Sequence, residues 1–248
     1  MKKTTFLALG AAALLYACDT SVKSDEATVS EAKEVSDTPE AATIFRIDTT
    51  QSRTTWVGSK VTGRHEGTIG IVDGFISVDD GAILGGTINM DMTTLQARDK
   101  AMDEESNTKL SKHLKSADFF EVEKFPTAKF EITSIEPISA GAGEVSQDTR
   151  EIDSEMKGDY SEYKITNPTH AITGNLTMKG ETKNIKFPAQ VNITKDKITA
   201  KANFNIDRRE WNLTYGADKS LGDKMIYSDV NIGFDIVATP QSNAATVQ

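Results

Sequence analysis

The chain has 248 residues, a single cysteine and a formal net charge of −9. The acidic balance argues against a nucleic-acid partner, which needs a basic face, and one cysteine excludes an intramolecular disulfide. No segment beyond the first twenty residues has the uninterrupted apolar length to cross a bilayer as a helix.

The chain starts with Lys2 and Lys3, continues with an apolar run over residues 6–15 and reaches Cys18 through Leu15-Tyr16-Ala17. A basic start, a short apolar stretch and a small residue before the cut describe a secretory signal over residues 1–17. The run is too short to remain as a membrane span. Leu15, Ala17 and Cys18 resemble a bacterial lipobox, although Tyr16 is bulkier than that pattern prefers. The resemblance implies cleavage before Cys18, acylation of its thiol (palmitate or a similar chain) and of its new amino terminus, and membrane attachment. Several acyl chains anchor stably where one does not. A spectator thiol and ordinary secretion with cleavage elsewhere are the alternatives. Loss of Lys2 and Lys3 would move the charge from −9 to −11. Residues 18–42 contain seven acidic and two basic side chains and no aromatic residue. They read as an acidic, disordered, self-repelling tether.

From residue 43 to 240 apolar and polar residues alternate repeatedly, the mark of half-buried strands. Phe45 and Ile47 begin the series. Ile88, Met90 and Met92 follow, then Phe130 and Ile132. Ile185, Phe187, Ala189, Val191 and Ile193 form one longer run. Ala200, Ala202, Phe204 and Ile206 form another, and Ile226 to Ile236 the longest, with Phe234 on its apolar side. Turn signals such as Asp79-Asp80-Gly81 and Lys179-Gly180-Glu181 separate them. Leu110 and Leu114, four apart among polar residues, predict a short surface helix within residues 103–118. Residues 139–161, acidic and poor in apolar side chains, read as an inserted loop or hairpin, and 241–248 as a disordered tail. One apolar face per strand predicts an all-β domain, either a sandwich or an up-and-down barrel. The pattern alone favours a filled core over a channel lined for a ligand.

Three stretches carry a family resemblance. The first runs from Trp56 through Gly58, Lys60, Gly63 and His65 to Gly67. The second is His113-Leu114-Lys115-Ser116-Ala117-Asp118-Phe119-Phe120, followed by Phe125-Pro126-Thr127. The third is Ile172-Thr173-Gly174-Asn175-Leu176-Thr177-Met178, with Asp207-Arg208-Arg209-Glu210-Trp211 downstream. In order and spacing they resemble the YceI-like family, the polyisoprenoid-binding, lipocalin-like bacterial domain. The resemblance implies an extended antiparallel barrel of about eight strands with one or two short helices. It further implies a long apolar channel for a polyisoprenoid, such as a quinone or prenyl phosphate, with no cofactor and no catalytic residue.

With closure, alternation places Ile88, Met90, Met92, Phe130, Phe187, Phe204 and Phe234 on the channel wall beside Trp56, with Phe119 and Phe120 sealing one end. Lys60, His65, His113 and Arg208 are candidate head-group contacts, since an arginine fork suits phosphate oxygens. For Arg208 the competing reading is a turn in which Asp207 and Arg208 pair internally. The histidine spacing lacks the pattern of a metal site. An enzyme acting on a prenyl or fatty amide, with His65 or His113 as general base, and a filled-barrel envelope scaffold are the alternative functions. The cell envelope is the expected location, with outer membrane or surface favoured and inner membrane an alternative.

Overall fold

The structure is a computed structural model, and it describes Val22, residues 24–138 and residues 163–241. Cys18, the signal segment, the whole of the 139–161 insertion and residues 242–248 lie outside the described residues. Among the described residues eleven strands form one sheet: β1 (Asp25–Glu26), β2 (Thr28–Glu31), β3 (Thr43–Ile47), β4 (Arg53–Lys60), β5 (Gly63–Asp79), β6 (Ala82–Ala97), β7 (Thr127–Pro137), β8 (His170–Met178), β9 (Glu181–Ile193), β10 (Ile198–Asp207) and β11 (Ile226–Pro240). Among the described residues a single α-helix, α1 (Glu104–Lys115), lies between β6 and β7.

Each strand from β4 to β11 pairs antiparallel with its neighbour in sequence, and β11 returns to pair with β4, which closes an eight-stranded barrel. β3 and β4 occupy one position in series. β4 pairs with Gly63 to Ile69 of β5, and β3 with Phe75 to Val78 of the same strand. β5 and β6 run for 17 and 16 residues. Register shifts between Thr68 and Gly70 and between Ile71 and Asp73 bend this pair around the barrel. The residues predicted to face inward do so: Ile88, Met90, Met92, Phe130, Phe187, Phe204 and Phe234 all belong to one buried core.

Two tight contacts need glycine. A Cβ on Gly67 would sit 2.5 Å from Trp56 Cζ2, and one on Gly174 would sit 2.6 Å from Phe130 Cε2. Each glycine lets an aromatic ring from the neighbouring strand lie flat over the backbone.

The reading of residues 18–42 as a disordered tether is corrected over residues 24–33. β9 and β10 pair only between Ala189–Ile193 and Ile198–Ala202. Beyond that point the N-terminal segment enters the seam. β1 runs parallel to β10 at Phe204 and Asn205, and β2 runs antiparallel to β9 from Lys186 to Lys183. Asparagines on the outer face clamp it. Asn205 Nδ2 donates to Val22 O at 2.8 Å and Glu26 Oε1 at 2.9 Å, and Asn231 Nδ2 donates to Asn205 Oδ1 at 3.0 Å. Asn175 and the backbone of Lys33 exchange two hydrogen bonds of 2.6 and 3.0 Å. The physical reason is the two bare edges: unpaired N–H and C=O groups on β9 and β10 recruit a segment with no apolar pattern of its own.

Candidate functional site

Asp103 caps α1 by accepting from Ser106 N at 2.7 Å. At the other end the chain folds back, and the N–H groups of Phe120, Glu121 and Val122 donate to the carbonyls of Leu114, Ser116 and Lys115 at 2.8–3.1 Å. These bonds satisfy the helix's orphan carbonyls. They also turn Phe119 and Phe120 back toward the barrel mouth. This local geometry is what the Leu-Lys-Ser-Ala-Asp-Phe-Phe stretch encodes.

Beneath this roof lies an apolar cavity of ≈ 240 Å³. Leu110 and Leu114 of α1, Phe119, Phe120, Met178, Ile206 and Ile232 line it, with Trp56, Lys60, His65, His113 and Arg208 among its polar-tipped neighbours. One step deeper the bore is filled. Phe187 and Phe204 stack with centroids 4.0 Å apart and planes at 15°, and Phe130 and Phe234 tilt against them at 5.5–6.5 Å. On β10, Phe204 lies between Ile206, which lines the cavity, and Ala202, which lines a small void of ≈ 40 Å³ farther along.

The expected channel residues therefore divide. Trp56, Phe119 and Phe120 border the cavity. Ile88, Phe130, Phe187 and Phe234 border the small void. Phe204, Met90 and Met92 border neither and are packed core, with at most 3% of their surface exposed. Among the described residues no continuous channel runs through all of them, because the phenylalanine rings meet across the bore.

Arg208 also departs from expectation. It is buried, and its guanidinium donates to the carbonyls of Leu213, Tyr215, Ile226 and Tyr227. Burial pulls its pKa below the ordinary arginine value, against an opposing pull from Asp207. These bonds hold residues 213–227 over the cavity. Asp207 pairs with Arg209, at 2.9 Å from Nε, and not with Arg208. Burial alone would raise the Asp207 pKa, but the hydrogen bonds and charge of Arg209 bring it below the usual carboxylate value.

His65 Nδ1 lies 2.8 Å from Asp99 Oδ2. Asp99 in turn accepts from Ala101 N at 2.8 Å, and its backbone is bracketed by Asn107 of α1, whose Oδ1 accepts from Asp99 N and whose Nδ2 donates to Asp99 O. Burial would raise the Asp99 pKa, but the bonds from His65 and Ala101 and the charges of His65 and Arg64 outweigh it and leave it lowered. Neither Asp99 nor Asn107 was singled out in the sequence. Asp99 sits in a loop 34 residues from His65, and only the fold joins them. His113 is 3.0 Å from Asp118 and packs edge-on against Phe119 and Tyr215 at 5.1 and 5.0 Å. It is part of the aromatic rim. Among the described residues no three ligating side chains gather into a metal site. Two buried polar atoms of cavity-lining residues, Trp56 Nε1 and Ser59 Oγ, have no hydrogen-bond partner among the described residues.

Residues 45–238 match the family model described as the YceI-like domain. No curated protein matches the chain significantly. Among solved structures it is similar to Burkholderia cenocepacia BcnA, at 19% identity over 78% of this chain and 99% of that one, with a TM-score of 0.54. A polyisoprenoid binding domain from Saccharophagus degradans, implicated in plant cell wall breakdown, is similar at 11% identity over 79% and 98% of the two chains, with a TM-score of 0.51. At these identities the two structures speak to the fold, which they share with the eight-stranded barrel seen here. By the match over nearly the whole barrel, the chain belongs to the YceI-like family.

Proposed function

We propose that this chain is a lipid-binding barrel that takes the tail of a polyisoprenoid or similar long-chain lipid and carries or stores it in the cell envelope. The observation that carries this reading is the apolar cavity under α1. Moving a prenyl tail out of water into such a space gains roughly 25 cal/mol per Å² of apolar surface. A solved relative of the same fold is described as a polyisoprenoid binding domain, which supports the ligand class. The resting cavity of ≈ 240 Å³ falls below the roughly 300–1,000 Å³ of typical ligand pockets. A long tail therefore either trails from the mouth or displaces the Phe187–Phe204 stack. The filled middle of the barrel is the one feature that favours an envelope scaffold instead.

Attachment through acylated Cys18 is part of the same proposal. Because Val22 is already buried against the barrel, only four peptide units separate it from Cys18. They span at most about 14 Å, so an anchored barrel would lie close to the bilayer.

Native purification followed by solvent extraction and mass spectrometry tests the reading. Recovery of a prenyl lipid, returned unchanged, supports a carrier. If no lipid is recovered and added prenyl lipids leave the melting temperature unmoved, the lipid-binding reading fails and the scaffold stands. Turnover of the lipid would favour an enzyme.

A further inference from the structure

The barrel wall parts between β9 and β10, and the reason is local. Ala189 O accepts from Thr169 N, on the β8 side, at 2.9 Å. The polar groups of successive strand residues point to opposite sides, so those of Pro188 face β10. Continuing the register from Ala202 and Ala189 would set Asn203 against Pro188. Proline has no N–H to give, and the ladder stops there. Asn203 O, the carbonyl that an N–H at position 188 would have met, accepts instead from Ser24 Oγ at 3.2 Å.

The strap formed by β1 and β2 stands in this gap as a stave of the wall. Ala27 and Val29 pack against the barrel core. In register, Val29 faces Ile185 of β9 and Asp25 faces Phe204 of β10, and both Ile185 and Phe204 are fully buried. The stacked rings of Phe187 and Phe204 thus belong to the two sides of the gap. Ile206, two residues on from Phe204, lines the cavity. The strap's two edges are unequal. Toward β9 it has a four-residue antiparallel ladder. Toward β10 it has a two-residue parallel one, backed by the bonds to Asn203 O, from Ala27 N to Asn205 O and from Asn205 Nδ2.

We propose that the edge between the strap and β10 is a lateral gate. When it parts, the Phe187–Phe204 layer and the deep end of the cavity open through the barrel wall, and a prenyl tail passes sideways instead of threading under α1. Opening a segment with few buried apolar contacts costs far less than unfolding the barrel. Pro188 keeps β9 from pairing directly with β10 and sealing the gap. The inference rests on the proposed lipid binding and adds the route by which the tail reaches a bore that is small and filled at rest.

The test is a switchable lock. Glu26 and Asn205 are partners in the register, and their side chains meet at 2.9 Å on the outer face. Neighbouring strands lie about 4.7–4.9 Å apart, within the Cα separations of about 4.4–6.8 Å that a disulfide spans. The full chain carrying Cys18→Ser, Glu26→Cys and Asn205→Cys is compared with the chain carrying Cys18→Ser alone. Geranylgeraniol is supplied from cyclodextrin, and protein-bound lipid is followed in time by mass spectrometry. Oxidised, the variant should take up lipid at least about tenfold more slowly than the control, as a cross-link restrains opening. Reduced, it has lost the Asn205 clamp and should take up lipid roughly fivefold faster than the control, the factor of one lost hydrogen bond. Ser24→Ala, which frees Asn203 O, should quicken uptake by a similar factor and decides the matter if the double-cysteine chain does not fold. Uptake at the control rate in both redox states, or in Ser24→Ala, overturns the gate and leaves lipid binding intact. No uptake by any chain, the control included, overturns both.

Discussion

The helix end of the barrel and its middle share one bore, yet one is open and the other filled. At the helix end the inward positions carry Gly58, Ile69, Met178, Ile206, Val230 and Ile232, and a roof made by α1, Phe119 and Phe120 spans the gap above them. One layer deeper, Phe130, Phe187, Phe204 and Phe234 meet ring against ring. Strand alternation is the same in both. The size of the inward side chains decides whether the bore stays open. Substitutions in the middle should therefore act on stability, and substitutions at the helix end on binding.

The largest expected effect is at the centre. Phe204→Ala should cost about 3–5 kcal/mol, the loss typical of a fully buried phenylalanine that leaves a cavity, measured by urea denaturation. Phe120→Ala, half-buried at the rim, should stay within about 1 kcal/mol in the same assay while weakening prenyl-lipid binding. If Phe204→Ala were silent and Phe120→Ala severe, the contrast between the regions would be wrong.

The seam comes next. Asn205→Ala removes the partner of Asn231 Nδ2, of Val22 O and of Glu26. Leaving buried polar groups unsatisfied should cost about 1–3 kcal/mol. Hydrogen exchange should then quicken at residues 24–33 and stay slow in β6 and β7. At least of similar size is Gly67→Ala, whose Cβ would collide with the Gln96 backbone carbonyl and press on the Trp56 ring. Overpacking of this kind costs about 1–3 kcal/mol, and here it should also reduce lipid binding, because Trp56 borders the cavity.

The smallest effect is a pH dependence at the helix end. The Asp99 pKa in the fold lies below its ordinary value of 3.8. A depressed carboxylate contributes stability that is present above the unfolded pKa and lost as pH falls through the folded one. The stability difference between the wild type and Asp99→Asn should be present above about pH 4 and shrink below it. A difference that grows as the pH falls below about 4 would contradict the assignment.

Which of these features could be read from the sequence follows from how local their causes are. Period-2 alternation is local, so the inward set from Ile88 to Phe234 was legible, as was the helix around Leu110 and Leu114. Which inward residues border a cavity depends on how the strands stagger on closure, so Met90, Met92 and Phe204 were placed on a channel wall they do not form. Arg208 resembled a phosphate grip because its spacing cannot show that backbone carbonyls from residues 213–227 surround it. The segment from 24 to 33 was illegible for another reason. It has no apolar period, and its strand character is imposed by the edges of β9 and β10. The outward asparagines that hold it, Asn175, Asn205 and Asn231, looked like ordinary solvent-facing positions.

The central claim is that the cavity at the helix end holds the lipid tail. Photocrosslinking of the full chain with a prenyl probe carrying a diazirine on its tail, mapped by mass spectrometry, tests it most directly. The account predicts adducts on Leu110, Leu114, Phe120, Met178, Ile206 and Ile232, lost on competition with unlabelled prenyl lipid. Adducts confined to the outer face of the barrel, or unaffected by competitor, would contradict it.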